Sequence, residues 1–230
     1  MKLAVRIQHT PSRKRWCGVL KRLLNHRYTQ VITDDKGNLW EGAKKTMGSF
    51  GPKDTHILIL QDDILPCEDF VQTVERIIEL LPNECVTFFS NSDRILEAQK
   101  KGINWVTLKT FLMAQAYVMP TAMMTDFLNW TEAHVKPEIY FDDDRMAMYF
   151  FYHNKKVWAT APSLVEHIGW NGSTLTGYKP GHVFEPRLRM AKWFIGMENS
   201  GLEVNWANGL DRPVEDNEGN WGSWSHLFKP

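Results

Sequence analysis

The chain has little cysteine. Three residues, Cys17, Cys67 and Cys85, lie far apart in 230 positions and form no C-x-x-C pair. This excludes a disulfide framework and a thiolate zinc motif and fits a reducing compartment. Excess charge of one sign is also missing. Lys plus Arg and Asp plus Glu each number 27, a formal net charge of +0, so the overall balance draws the chain neither to nucleic acid nor to an anionic membrane surface. No apolar run approaches a membrane span, and neither an internal repeat nor a low-complexity tract is visible. Leu3 to Ile7, directly after the start, is too short for the apolar core of a signal peptide. A cytoplasmic location is the resulting expectation. Apolar matter is plentiful: 43% of residues are hydrophobic, enough for a sizeable single core.

Hydrophobic periodicity divides the first ninety residues into alternating elements. Leu3–Ile7 reads as a strand, followed by the turn Gln8-His9-Thr10-Pro11-Ser12, with Thr10 or Ser12 as the cap of a helix over Arg13–Asn25. Tyr28–Thr33 is a second strand ending at Asp34-Asp35, and Leu39–Phe50 a second helix closed by Gly51-Pro52. His56–Leu60 is a third strand, Glu68–Leu81 a third helix and Val86–Ser90 a fourth strand. This order predicts an α/β fold with a mostly parallel central sheet and helices on both faces. Further on, strands are expected within Trp105–Met119, helices over Thr121–His134 and from Asp142 to about His153, short strands on either side of Pro162, and a helix near Arg187–Met197. Beyond Gly196 the chain reads as an irregular C-terminal arm.

The chemistry concentrates in His56-Ile-Leu-Ile-Leu-Gln61-Asp62-Asp63. A continuous aliphatic run of this kind is a strand buried on both faces, and the carboxyl end of such a strand is where open α/β sheets bind ligands. Two adjacent acids there are costly unless something positive joins them, for example a divalent metal that also carries a phosphate. The plainer reading of the same acids is a solvated turn. Asp142-Asp143-Asp144 opens a helix, where acids also interact well with the helix dipole. Of the ten tryptophans, six lie from Trp158 onward. Trp170, Trp206, Trp221 and Trp224 are candidates for a sugar-stacking platform, against the alternative of core packing.

The order and positions of Gln61-Asp62-Asp63, Asp142-Asp143-Asp144 and Pro162-Ser-Leu-Val-Glu-His167-Ile-Gly169 resemble the GT-A (Rossmann-like) fold of nucleotide-sugar glycosyltransferases, over roughly residues 1 to 175. Gln61 departs from the acid expected at the first position of a D-x-D-type signature. The resemblance implies a metal held by Asp63 and His167, with Mn²⁺ (or Mg²⁺) as the ion, an imidazole ligand favouring manganese. It implies contacts to a nucleoside diphosphate sugar, UDP-based, from Thr10, Arg13, Asp34, Asp35, Gln61 and Asp62. Arg13 and Lys44 also have the plainer reading of helix-surface charges. It implies a general base in the acidic triad: Asp143 first, Asp144 as runner-up, with Asp142 as a helix cap. The acceptor is expected to be a hydroxyl of a glycan, a glycolipid precursor or a hydroxymethylated DNA base, with inversion as the expected outcome. Residues 1–92 then form the nucleotide-binding half and 93–195 the acceptor half of one catalytic domain, with 196–230 as an arm packed on it. Size and start fit a bacterial or phage protein. Two other classes stay open: a metal-dependent phosphohydrolase or nucleotidyltransferase, and an inactive sugar-binding protein.

Overall fold

The computed structural model describes residues 1–26, 28–34, 38–109, 111, 114–168 and 190–216. Ten strands are found there: β1 (Leu3–His9), β2 (Thr29–Thr33), β3 (His56–Gln61), β4 (Ile64–Pro66), β5 (Val86–Thr87), β6 (Trp105–Leu108), β7 (Ala116–Pro120), β8 (Val157–Thr160), β9 (Val165–His167) and β10 (Val214–Asp216). Eight make one sheet in the order β10-β6-β8-β5-β7-β3-β1-β2, and β4 and β9 form a separate two-stranded ladder. Strands β1, β2, β3, β5 and β8 run one way; β6, β7 and β10 run the other. The sheet is therefore mostly parallel.

The fourth expected strand does not join the third. β7 inserts antiparallel between β3 and β5, pairing Leu60 with Ala116 on one side and Val86 with Val118 on the other. Ala116-Tyr-Val-Met is wholly buried, so it takes a central place, and local periodicity cannot reveal which distant strand fills that place. β5 itself stops at Thr87, because Phe88 turns its backbone to Ala116 and Leu164 instead.

Strand alternation sorts the core onto two faces. Leu58 and Leu60 of β3 join Val5 and Ile7 of β1 beneath α1 (Lys14–Leu24) and α3 (Phe70–Leu80). Ile57 and Ile59 join Tyr117 and Met119 beneath α2 (Leu39–Met47), α5 (Thr121–His134) and α6 (Asp142–Tyr152). Another helix, α4 (Arg94–Lys101), not foreseen in the sequence, buries Ile95 and Ala98. Local signals set the helix ends. Asn38 caps α2 by accepting the Glu41 N–H at 3.2 Å, and Asn25 ends α1 in the left-handed conformation, φ 44°. None of the described helices is long and apolar enough to cross a membrane.

The helix expected near Arg187–Met197 is absent over residues 190–197, its first positions lying outside the described residues. There the chain lies beside Ser163, whose N–H donates to Trp193 O at 2.8 Å and whose carbonyl accepts Ile195 N–H at 3.1 Å. Trp206 is not a platform for sugar. It is 1% exposed, donates from its indole to Gly201 O at 2.9 Å and accepts the Trp105 indole N–H at its carbonyl, 2.7 Å away. Gly201 is required at this turn, because a Cβ there would meet Thr73 Oγ1 of α3 at 2.6 Å. Trp170, Trp221 and Trp224 lie outside the described residues.

Candidate functional site

At the carboxyl end of β3 the alternation continues past the strand, placing Asp62 on the face of Leu58 and Leu60. His9 occupies the same face of β1 after Val5 and Ile7. The two side chains meet: His9 Nδ1 lies 2.7 Å from Asp62 Oδ2. The same oxygen accepts the Thr10 N–H at 2.8 Å, and Asp62 Oδ1 accepts from Arg13 at 2.9 Å. Burial pushes the Asp62 carboxyl up, against the lowering effects of Thr10, Arg13 and His9. At 2% exposure, Asp62 is engaged by His9, Thr10 and Arg13. It fixes the β1 turn. Thr10 makes no side-chain cap; its amide is held by Asp62. His9, which the sequence marks only as part of a polar strand end, joins the site through Asp62.

Asp63 points into a different environment, built by the β4–β9 ladder. Ile64 pairs with His167, Leu65 with Glu166 and Pro66 with Val165. Ile168 N–H donates to Asp63 O at 2.9 Å, and Cys67 N–H to Leu164 O at 2.9 Å. Ile64, Leu164 and Val165 are buried, so apolar burial closes the ladder and the ladder delivers the imidazole. His167 Nε2 thereby reaches 3.3 Å from Asp63 Oδ2 across 104 sequence positions. The edge of Phe89 packs on the His167 ring at 6.1 Å. Arg13 also ion-pairs with Asp63 Oδ2. Burial raises the Asp63 pKa, but the hydrogen bond to His167 and the Arg13 charge outweigh it and hold this carboxyl below its ordinary value. Asp63 Oδ1 is buried with no hydrogen-bond partner.

An ionised carboxylate with an orphaned oxygen beside an imidazole fits a divalent cation, and the mixed oxygen and nitrogen donors suit manganese. Among the described residues, no group of three or more His, Cys, Asp or Glu is placed to hold a metal. Asp63 and His167 would thus leave other coordination positions to ligand oxygens and water.

The second acid cluster is handled differently. Asp142, Asp143 and Asp144 form the first turn of α6. The cap position is Phe141, which makes no side-chain cap bond, so Asp142 is not the cap expected from sequence. Asp143 and Asp142 keep part of their surface in solvent, yet both are closely ringed by protein. Burial raises Asp142 to about 6. Burial, then the charges of Asp142 and Asp144, raises Asp143 to about 7. Asp144 is exposed, and its carboxyl is also raised by partial burial. Asp143 Oδ1 accepts the Asp144 N–H at 3.0 Å, and none of the three acids has an ion-pair partner among the described residues. The neighbouring cation, Arg145, turns away to Ile139 O at 2.6 Å and Lys136 O at 3.1 Å, over the Trp40 ring. Burial, then the charge of Asp142, pushes the Tyr117 phenol up, and among the described residues neither Asp142 Oδ2 nor Tyr117 Oη, both buried, has a hydrogen-bond partner.

Gln61 ends β3 on the Tyr117 face. It sits level with Gln8 of β1, and its N–H donates to Gln115 O at 2.8 Å. The side-chain oxygens of Gln8 and Gln115 are buried without partners, so a row of amides crosses three strand ends. Asp34 follows β2 and packs against α2, where a Cβ on Gly42 would meet Asp34 Cβ at 2.9 Å. Asp35 lies outside the described residues. Lys44 is engaged elsewhere, 3.0 Å from Glu132. Arg13, by contrast, is no helix-surface charge, since both acids after β3 hold it. Among the described residues, no hydrogen bond or ion pair connects Asp63 to the acidic triad.

No family model matches the chain, and no curated protein sequence matches it. Thirty chains of solved structures match. One is A197 from STIV, with 13% identity and a TM-score of 0.43, covering 73% of this chain and 85% of that one. Another is a mutant of Drosophila β1,4-galactosyltransferase 7 in complex with manganese, UDP-Gal and xylobiose. It has 8% identity and a TM-score of 0.42, covering 79% of this chain and 77% of that one.

Proposed function

We propose that this protein is a metal-dependent glycosyltransferase that moves a sugar from a nucleoside diphosphate donor, UDP-based, to a hydroxyl acceptor. The observation that carries the reading is the convergence of Asp63 and His167, 3.3 Å apart at the carboxyl end of β3, with one Asp63 oxygen buried and unpartnered. Those two residues would hold Mn²⁺ (or Mg²⁺). The cation's chemistry is to neutralise charge on a diphosphate leaving group. Asp62 holds the β1 turn, and with it Thr10 and Arg13, at the edge where the nucleotide enters; Gln61 and Asp34 flank that edge.

Asp143 is the general base of this reading and Asp144 its alternative. Attack by an acceptor hydroxyl on the anomeric carbon releases a proton, and a carboxyl poised near neutrality accepts it efficiently at physiological pH. The acid at about 7 meets that requirement. The acceptor is a glycan, a glycolipid precursor or a modified DNA base, the last opposed by the neutral overall charge.

A two-metal phosphohydrolase is less well supported, because that chemistry needs several carboxylates around two ions and the described residues gather no such group. The test is thermal shift against a set of nucleotide sugars, with and without Mn²⁺, followed by donor hydrolysis without acceptor. A manganese-dependent rise in Tm with UDP-sugars and slow release of free sugar are expected. No stabilisation by any nucleotide sugar with manganese overturns the reading. Stabilisation without turnover on any acceptor or on water leaves the sugar-binding protein.

A further inference from the structure

We propose that Arg13 is a stand-in cation: it clasps Asp62 and Asp63 in the free protein and passes to the diphosphate of an incoming nucleotide, so that divalent ion and nucleotide bind only together. The proposal rests on the reading above and adds an order of events to it.

Two adjacent buried carboxylates need positive charge in every state of the protein, loaded or free. In the free chain Arg13 supplies it. One guanidinium nitrogen donates to Asp62 Oδ1 at 2.9 Å and also meets Asp63 Oδ2, the oxygen that faces His167. The planar fork of Arg is built for two parallel bonds to one acceptor group. Here a single nitrogen spans two separate carboxylates, an arrangement a phosphate can replace with a better-matched one. A divalent ion drawn to Asp63 alone would meet the guanidinium at the same oxygen, and two cations at that distance repel strongly at low dielectric.

The backbone favours movement of the head group only. Pro11–Arg13 forms a tight turn in which the Arg13 N–H donates to Thr10 O at 2.9 Å, and Asp62 holds Thr10 in turn. The backbone of Arg13 is thus held, and its side chain keeps 15% of its surface exposed. Release of Arg13 from the acids admits the ion, and phosphate oxygens supply the acceptors that make release favourable. Each ligand removes an obstacle to the other, and by linkage the coupling is the same in both directions.

The test measures binding, not turnover. Mn²⁺, UDP and the two together are titrated calorimetrically, with free Mn²⁺ followed by its EPR signal, on wild type, Arg13→Gln and Arg13→Lys. In wild type, UDP should tighten Mn²⁺ binding about tenfold or more, within the usual range of coupling between sites. Arg13→Gln should bind Mn²⁺ alone about tenfold more tightly than wild type and lose most of the coupling. Arg13→Lys keeps the charge and should bind Mn²⁺ alone as weakly as wild type. Equal Mn²⁺ affinity in wild type and Arg13→Gln, with coupling intact, overturns the proposal and leaves the glycosyltransferase reading standing. Tight Mn²⁺ binding by Arg13→Lys overturns it too, because charge is then not the obstacle. Failure of wild type to bind Mn²⁺ and UDP together removes both.

Discussion

The molecule holds two clusters of adjacent aspartates and surrounds them with different partners. Asp62 and Asp63 are buried beneath Arg13, His9 and His167, and Asp63 is held ionised. Asp142 to Asp144 have no cation among the described residues, and all three carboxyls are pushed up. The same residue type thus sits among counter-charges in one place and without them in the other. What differs is the partner that the fold delivers: a ladder brings an imidazole to the first cluster, while the second has only the positive end of α6. A run of acids in a sequence carries no fixed chemical meaning until its counter-charges are placed.

The comparison breaks most completely at Asp63. Asp63→Ala should abolish manganese-dependent UDP binding, a loss beyond a hundredfold on the order expected for a first ligand, read by calorimetry. Binding equal to wild type would take the cation away from this cluster.

Next in size is the proton acceptor. Asp143→Asn keeps shape and removes basicity, so turnover should fall on the order of 10²-fold or more while UDP affinity stays nearly unchanged. In wild type kcat/KM should climb with pH to a plateau above about 7. If Asp144→Asn loses activity and Asp143→Asn does not, the role moves by one residue.

A smaller effect tests the support of the first cluster. His9→Ala removes one partner of Asp62 and loosens Thr10 and Arg13, and should weaken UDP binding with manganese by about tenfold, as loss of an outer-shell partner does. No change would leave His9 a packing residue.

The smallest effect concerns stability. A raised folded-state pKa means that the folded protein keeps a proton the unfolded chain releases, so the contribution is complete below the ordinary Asp pKa and is lost as pH rises through about 6 to 7. Asp142→Asn never ionises. Its stability relative to wild type should therefore improve between pH 5 and pH 8, by an amount on the order of 1 kcal/mol after allowance for solvent contact. A calorimetric gap that narrows with pH would show that the triad is not strained by its own charge.

Much of the sheet and its covering helices was legible in the sequence. The run Ile57–Leu60 announces a strand without solvent contact, and Thr121–His134 forms its helix with the expected ends, because in both places one local pattern suffices. The same reading placed Asp63 and His167 at one site only through a family resemblance. Their link is β4 paired with β9, two strands of three residues each, too short to leave a periodic trace. β7 was foreseen as a strand but not as the partner of β3, since register and partner are long-range facts. Arg13 reads more readily as a helix-surface charge, because nothing near it in sequence says that the two acids after β3 lie above it.

The β4–β9 ladder has a consequence for how the protein should fail on warming. Three residue pairs are a weak structure by themselves, and this ladder depends on the burial of Ile64, Leu164 and Val165 and on the Leu164 N–H donated to Phe88 O. Such a unit opens locally at a free energy below that of global unfolding. Opening it separates the carboxylate from the imidazole without disturbing the eight-stranded sheet. Ligand capture should then melt out several degrees before the far-ultraviolet signal does, and amide protons of Cys67 and Ile168 should exchange ahead of those of Leu58 and Val118.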